Sequence, residues 1–130
     1  MLNKTIILVE SNLPMQSLYH RELSRSFHVL VFSDVPGVLE AIKSQSVSAV
    51  VLEADLPSGK GWSTLEEIKQ TTKVPIILLS TIDVRKKALQ AKVDAYILKP
   101  IPPMALHDTL VQVCDQVPRP NLSTEVQKGD

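Results

Sequence analysis

Ser48-Ala-Val-Val-Leu-Glu-Ala-Asp-Leu-Pro-Ser-Gly-Lys-Gly61 is the stretch that decides how this chain folds. Its opening run, Ser48–Leu52, is short, apolar and rich in β-branched residues, and reads as a strand buried on both faces. Such strands belong to parallel sheets, whose crossover connections cover the faces with helices. The run stops on two carboxylates, Glu53 and Asp55, followed by Pro57 and Gly61, so polar chemistry begins where the strand ends.

Outward from this stretch the same pattern repeats. Thr5–Val9 and Val74–Leu79 are also apolar throughout, and His28–Phe32 and Ala95–Leu98 are the remaining strand-like runs. Between them lie helical stripes. Met15, Leu18, Tyr19 and Leu23 share one face; Val35, Val38, Leu39 and Ile42 share another, with Pro36 suited to a first helical turn. Trp62, Leu65 and Ile68 make a third stripe, and Ala88 and Leu89 a weak fourth. Leu106, Leu110, Val113 and Val117 make the last, after Pro102 and Pro103. Alternation of strand and helix five times implies an α/β, flavodoxin-like three-layer sandwich. Right-handed crossovers then favour a five-stranded parallel sheet in the order 2-1-3-4-5 with five helices. The expected domain covers 3–117. From Pro118 the periodicity stops, and 118–130 reads as a flexible C-terminal tail or the start of a linker.

Composition narrows the function. With 130 residues, 44% of them hydrophobic, the chain fits one domain with a real core. Fourteen Lys and Arg balance fourteen Asp and Glu for a formal charge of +0, which argues against nucleic acid bound by this segment. The single cysteine, Cys114, has no internal disulfide partner; a cytoplasmic location is expected, with Cys114 as helix core. Ile6–Val9 is too short for a signal segment, and no apolar stretch has membrane-spanning length.

Ligands of open α/β sheets sit beyond the carboxyl ends of the strands. Those ends are Val9-Glu-Ser-Asn12, Leu52-Glu-Ala-Asp55, Leu79-Ser-Thr81 and Leu98-Lys-Pro100. Carboxylates, hydroxyls and one ammonium therefore converge on one rim. Read singly, each has a structural role: Ser80 as a loop or helix cap, Asp55 as an Asx-turn residue before Pro57, Lys99 as the ion-pair partner of Glu53. Trp62 reads as a cover over the third helix, Ile82–Lys87 as a solvated basic face in preference to a docking patch, and His20, His28 and His107 as surface or edge residues with no common spacing.

The rim resembles the receiver domain of bacterial response regulators over roughly residues 3 to 117. The likeness lies in Pro57 and Gly61, four and eight residues after Glu53, in Ser80 ending the fourth strand, in Lys99-Pro100 after the fifth, and in Tyr96 three residues before Lys99. The resemblance implies that Glu53 is the phosphoacceptor equivalent, and Glu10 and Ser11 the acidic-pocket equivalents. Ser80, Thr81, Tyr96 and Lys99 become the switch and phosphate-binding equivalents, and Pro100 a cis-peptide or turn. It also implies partners: a histidine kinase, or an output or effector domain, with a homodimer through the fourth and fifth helices as a family option.

Three departures mark an atypical, pseudo-receiver-like variant. Glu53 replaces the acceptor aspartate, Ser11 replaces one of two acids, and the chain from Ser80 to Lys99 is about one helical turn short. Magnesium wants near-octahedral oxygen ligands, and only Glu10, Glu53 and the Asp55 backbone carbonyl are candidates, so no cofactor is expected beyond weak Mg2+ binding. The reading is a receiver of two-component (phosphorelay) signal transduction that is degenerate and acts by phosphorylation-independent protein–protein interaction. The alternatives are a functional receiver phosphorylated on Glu53 or Asp55 by a histidine kinase, and a small phosphatase-like enzyme. The chain has no Gly-rich phosphate loop, no Gly-x-Ser-x-Gly elbow and no metal-spaced histidines, so it is expected not to be an enzyme.

Overall fold

The computed structural model describes residues 4–115. Five strands alternate with five helices: β1 (Lys4–Val9), α1 (Leu13–Leu23), β2 (Phe27–Phe32), α2 (Val38–Ser44), β3 (Val47–Glu53), α3 (Gly61–Thr71), β4 (Ile76–Ser80), α4 (Arg85–Gln90), β5 (Ala95–Leu98) and α5 (Pro103–Asp115). All strand pairs are parallel and the sheet order is β2-β1-β3-β4-β5, as the alternation predicts. Val117 and the segment 118–130 lie outside the described residues.

Alternate side chains of the central strands feed two cores. Ile7, Val9, Val50, Leu52, Ile76 and Leu78 pack with Val38, Ile42, Leu65, Ile68 and Ala88 of α2, α3 and α4. Ile6, Leu8, Ala49, Val51, Ile77 and Leu79 pack with Tyr19, Leu23, Leu106 and Leu110 of α1 and α5. Both faces of β1, β3 and β4 are thus covered, which is why their sequences run apolar without alternation.

Two stripe assignments are corrected. Leu18 is 47% exposed and does not join the buried face of α1, which rests on Tyr19 and Leu23. Pro36 does not open α2: Gly37, at φ +88°, turns the chain in the left-handed region, and the helix starts only at Val38. Asn12 caps α1 by accepting the Met15 N–H at 3.0 Å.

Gly61 is demanded by packing. A Cβ there would meet the Ala54 carbonyl oxygen and lie 2.8 Å from the Glu53 carbonyl oxygen, so only glycine lets α3 start against the end of β3. That contact fixes the direction in which the chain leaves Glu53.

Candidate functional site

The register of the sheet sets the rim. Val9 lies beside Leu52, Leu52 beside Leu78 and Ser80 beside Leu98, which brings Glu10, Glu53, Ser80 and Lys99 to one edge. The Glu10 N–H still donates to Phe32 O at 3.0 Å, so Glu10 is held as an extension of β1.

Glu10, Ser11, Glu53 and Lys99 form one closed network. The Lys99 Nζ, on a side chain only 7% exposed, lies 3.0 and 3.2 Å from the two Glu10 oxygens and 3.5 Å from Glu53 Oε2. The Lys99–Glu53 ion pair expected from the sequence is present, but Glu10 is the nearer partner. Glu10 Oε2 also accepts the Asn12 N–H at 3.0 Å. Glu53 Oε1 accepts both the Ser11 N–H and the Ser11 hydroxyl at 2.8 Å. Ser11 therefore acts as a donor to Glu53, where an acid at this position would repel it.

Burial pushes the fully buried Glu10 carboxyl above its ordinary range, against the Asn12 N–H and the Lys99 hydrogen bond. Burial pulls on Lys99 in the other direction, and the Glu10 hydrogen bond together with the charges of both carboxylates outweighs it, leaving the ammonium harder to deprotonate than an ordinary lysine. Two carboxylates share a single ammonium, so removing Lys99 would leave uncompensated buried charge, the costliest way to break such a cluster.

A second network binds the next loop. Ser80 is buried and its hydroxyl donates to Ile82 O at 2.7 Å while accepting the Ile82 N–H at 3.1 Å, which makes it a cap of the β4–α4 loop. Asp55 makes no Asx turn; its Oδ2 accepts from the Thr81 hydroxyl and from the Thr81 N–H, the latter at 3.4 Å. Its Oδ1 is buried without a hydrogen-bond partner among the described residues. The Tyr96 hydroxyl donates to Ile82 O at 3.1 Å and accepts the Val84 N–H at 2.9 Å. The Lys99–Pro100 peptide is cis.

The residues singled out in the sequence thus divide in two. Glu10, Ser11, Glu53 and Lys99 are brought together; Asp55, Ser80, Thr81 and Tyr96 serve the loop beyond them. Sequence reasoning missed the donor role of Ser11 and the Thr81–Asp55 link. A hydroxyl residue following a strand-end acid, with a Glu at the facing strand end, was the signal for the first.

The arrangement does not suit magnesium. Magnesium keeps several waters and needs one or two carboxylates, but the oxygens of the two candidates, Glu10 and Glu53, face the Asn12, Ser11 or Lys99 donors, so a hydrated cation beside the Asp55 backbone carbonyl would have to displace the Lys99 ammonium from between them. Among the described residues no group of three or more His, Cys, Asp or Glu is placed to hold a metal ion.

Comparisons with known proteins agree with this architecture. The family model for the response regulator receiver domain matches residues 6–111. A probable transcriptional regulator, ycf27, of Cyanophora paradoxa is 25% identical over 98% of this chain and 55% of its own length. The transcriptional regulatory protein CpxR of Klebsiella pneumoniae is 35% identical over 73% of this chain and 42% of its own. The chain spans about half the length of the curated relatives it matches. Among solved structures, the N-terminal receiver domain of a Bacteroides fragilis response regulator superposes with a TM-score of 0.80 at 22% identity, covering 88% of this chain and 99% of that one. The Thermotoga maritima response regulator DrrB gives 0.73 at 23%, covering 82% of this chain and 50% of that one. The chain belongs to the response regulator receiver domain family.

Proposed function

We infer that this receiver domain works by protein–protein contact without phosphorylation of its acceptor position. The observation that carries the reading is the Glu53 carboxylate: it is buried, one oxygen accepts two hydrogen bonds from Ser11, and the other faces Lys99. To attack a phosphoryl donor in line, it must release those partners, turn outward and act where the residues around it do not suit magnesium. Displacement on the order of 1 Å alone can cost about a hundredfold in rate. Asp55 is no substitute nucleophile, because Thr81 holds one of its oxygens and the other is shielded from solvent.

The partner is an output domain or a histidine kinase, and the contact face is formed by α4, β5 and α5. Leu98 of β5 stands exposed there, at 48%, and Ile82, in the loop before α4, at 62%. The relatives named transcriptional regulators are about twice as long, which supports an output domain as the first candidate.

Incubation with magnesium and acetyl phosphate, followed by intact mass, tests the reading. The expected result is an unchanged mass. A stoichiometric, hydroxylamine-labile phosphoryl adduct on Glu53 or Asp55 would overturn it.

A further inference from the structure

At the foot of the sheet, away from the rim, a second set of reactive groups meets. Ser26, in the turn between α1 and β2, has its Oγ 2.6 Å from His107 Nε2 of α5. The His107 Nδ1 is 3.2 Å from Asp108 Oδ1. The His107 ring is further fixed by the Phe27 ring, tilted at 60° with centroids 6.0 Å apart. With Nδ1–H donated to Asp108, the Nε2 lone pair accepts the Ser26 proton, and hydroxyl, imidazole and carboxylate are linked in turn. Nucleophile, base and a third group that orients the base make an activated serine, independent of the fold that carries it.

The group is open to a ligand. Ser26, His107 and Asp108 line a cavity of about 270 Å³ together with Glu22, Arg25 and Met104. Such a volume admits a small acyl group with one apolar wall at Met104. The Arg25 guanidinium lines the same cavity and is tied to Glu22 Oε2 at 3.0 Å. The backbone N–H groups of Arg25 and Ser26 are already given to Glu22 O and Leu23 O at 3.2 and 3.1 Å, so they form no oxyanion hole.

We propose that Ser26 is an activated serine, with His107 as its base and Asp108 as the positioning residue, that accepts a small acyl group from an activated ester. Ser26 Oγ bonds to the acyl carbonyl carbon as the bond to the leaving alcohol or phenol breaks. The leaving oxygen takes the electron pair, and the Ser26 proton passes to His107 Nε2 and from there to the leaving group or solvent. Without oxyanion donors, hydrolysis of the product ester is slow, so the site behaves as an acceptor that loads once.

The test uses p-nitrophenyl acetate on the full chain, with acetylation mapped by peptide mass and acetylated lysines as the internal reference. The expected result is one acetyl group on Ser26, formed more slowly in His107→Gln by about a hundredfold, the lower range for loss of a general base. Gln keeps a polar group beside Ser26, and Asp108→Asn, at an exposed carboxylate, gives a second variant with a smaller loss at an unchanged unfolding midpoint. No adduct on Ser26 of the wild type, or equal rates in wild type and both folded variants, would overturn the proposal.

Discussion

The two halves of the rim are built on opposite terms. Glu10, Ser11 and Glu53 are packed at the ends of the interior strands β1 and β3, and Lys99 reaches them from the end of the edge strand β5, with every charge facing a counter-charge or donor. The segment from Thr81 to Gln90 is short and, apart from Ala88, largely exposed: α4 has six residues, and Arg85, Lys86 and Lys87 follow one another on it. Its tethers include the Thr81 bonds to Asp55, the backbone bonds of Ile82 and Val84 to Ser80 and Tyr96, the buried Ala88, and the Lys87 ammonium 4.2 Å from the centre of the Trp62 ring. In the first half polar groups hold the core edge in place. In the second they hold a solvent-facing loop and helix in shape.

Substitutions separate the halves by magnitude. Lys99→Met leaves two buried carboxylates without their cation and should cost about 3–5 kcal/mol in denaturant unfolding at neutral pH. That deficit has a pH signature. Because the Lys99 pKa is raised in the fold, its contribution is complete below the unfolded value of about 10.4 and is lost as pH climbs through the folded one. The Glu10 pKa is also raised, so protonating it becomes favourable in the fold as pH falls. The Lys99→Met deficit should therefore narrow in mild acid, where a neutral Glu10 needs no counter-charge. A deficit that is small, or that widens in acid, would break the contrast between the two halves.

Ser11→Ala removes one of two donors to Glu53 Oε1, and should cost about 1.5–3 kcal/mol, the range for a hydrogen bond to a charged group. Tyr96→Phe should cost about 0.5–1.5 kcal/mol, the range for neutral hydrogen bonds, and should raise amide exchange at Ile82 and Val84 while Ser11 stays protected. Lys86→Ala, on the exposed helix, should stay within about 0.5 kcal/mol of wild type. If Lys86→Ala matched Ser11→Ala, the basic segment would be structural and not a solvated face.

How much of this was legible beforehand follows from the range of the interactions. Strand order and the two-sided core were readable because apolar runs such as Val50–Leu52 and Ile76–Leu79 carry the signal locally. The start of α2 was misplaced because Pro36 suits a first turn, while the left-handed Gly37 after it decides where the helix begins. Glu53 and Lys99 could be assigned to one rim from topology alone. Which acid Lys99 prefers could not, since that depends on side-chain reach across strand ends 89 residues apart in sequence. Ser26 and His107 are separated by 81 residues and show no common pattern; only the packing of α5 beside the α1–β2 turn joins them.

In the proposed reading Lys99 and Ser11 close the pocket in which a divalent cation would sit. Amide chemical shifts of Ser11, Asn12, Glu53 and Lys99, followed while magnesium is raised to millimolar concentration at constant ionic strength, test this most directly. The closed network predicts no saturable change at these four amides. A saturable shift centred on Glu10 and Glu53, with Lys99 displaced from Glu10, would contradict it.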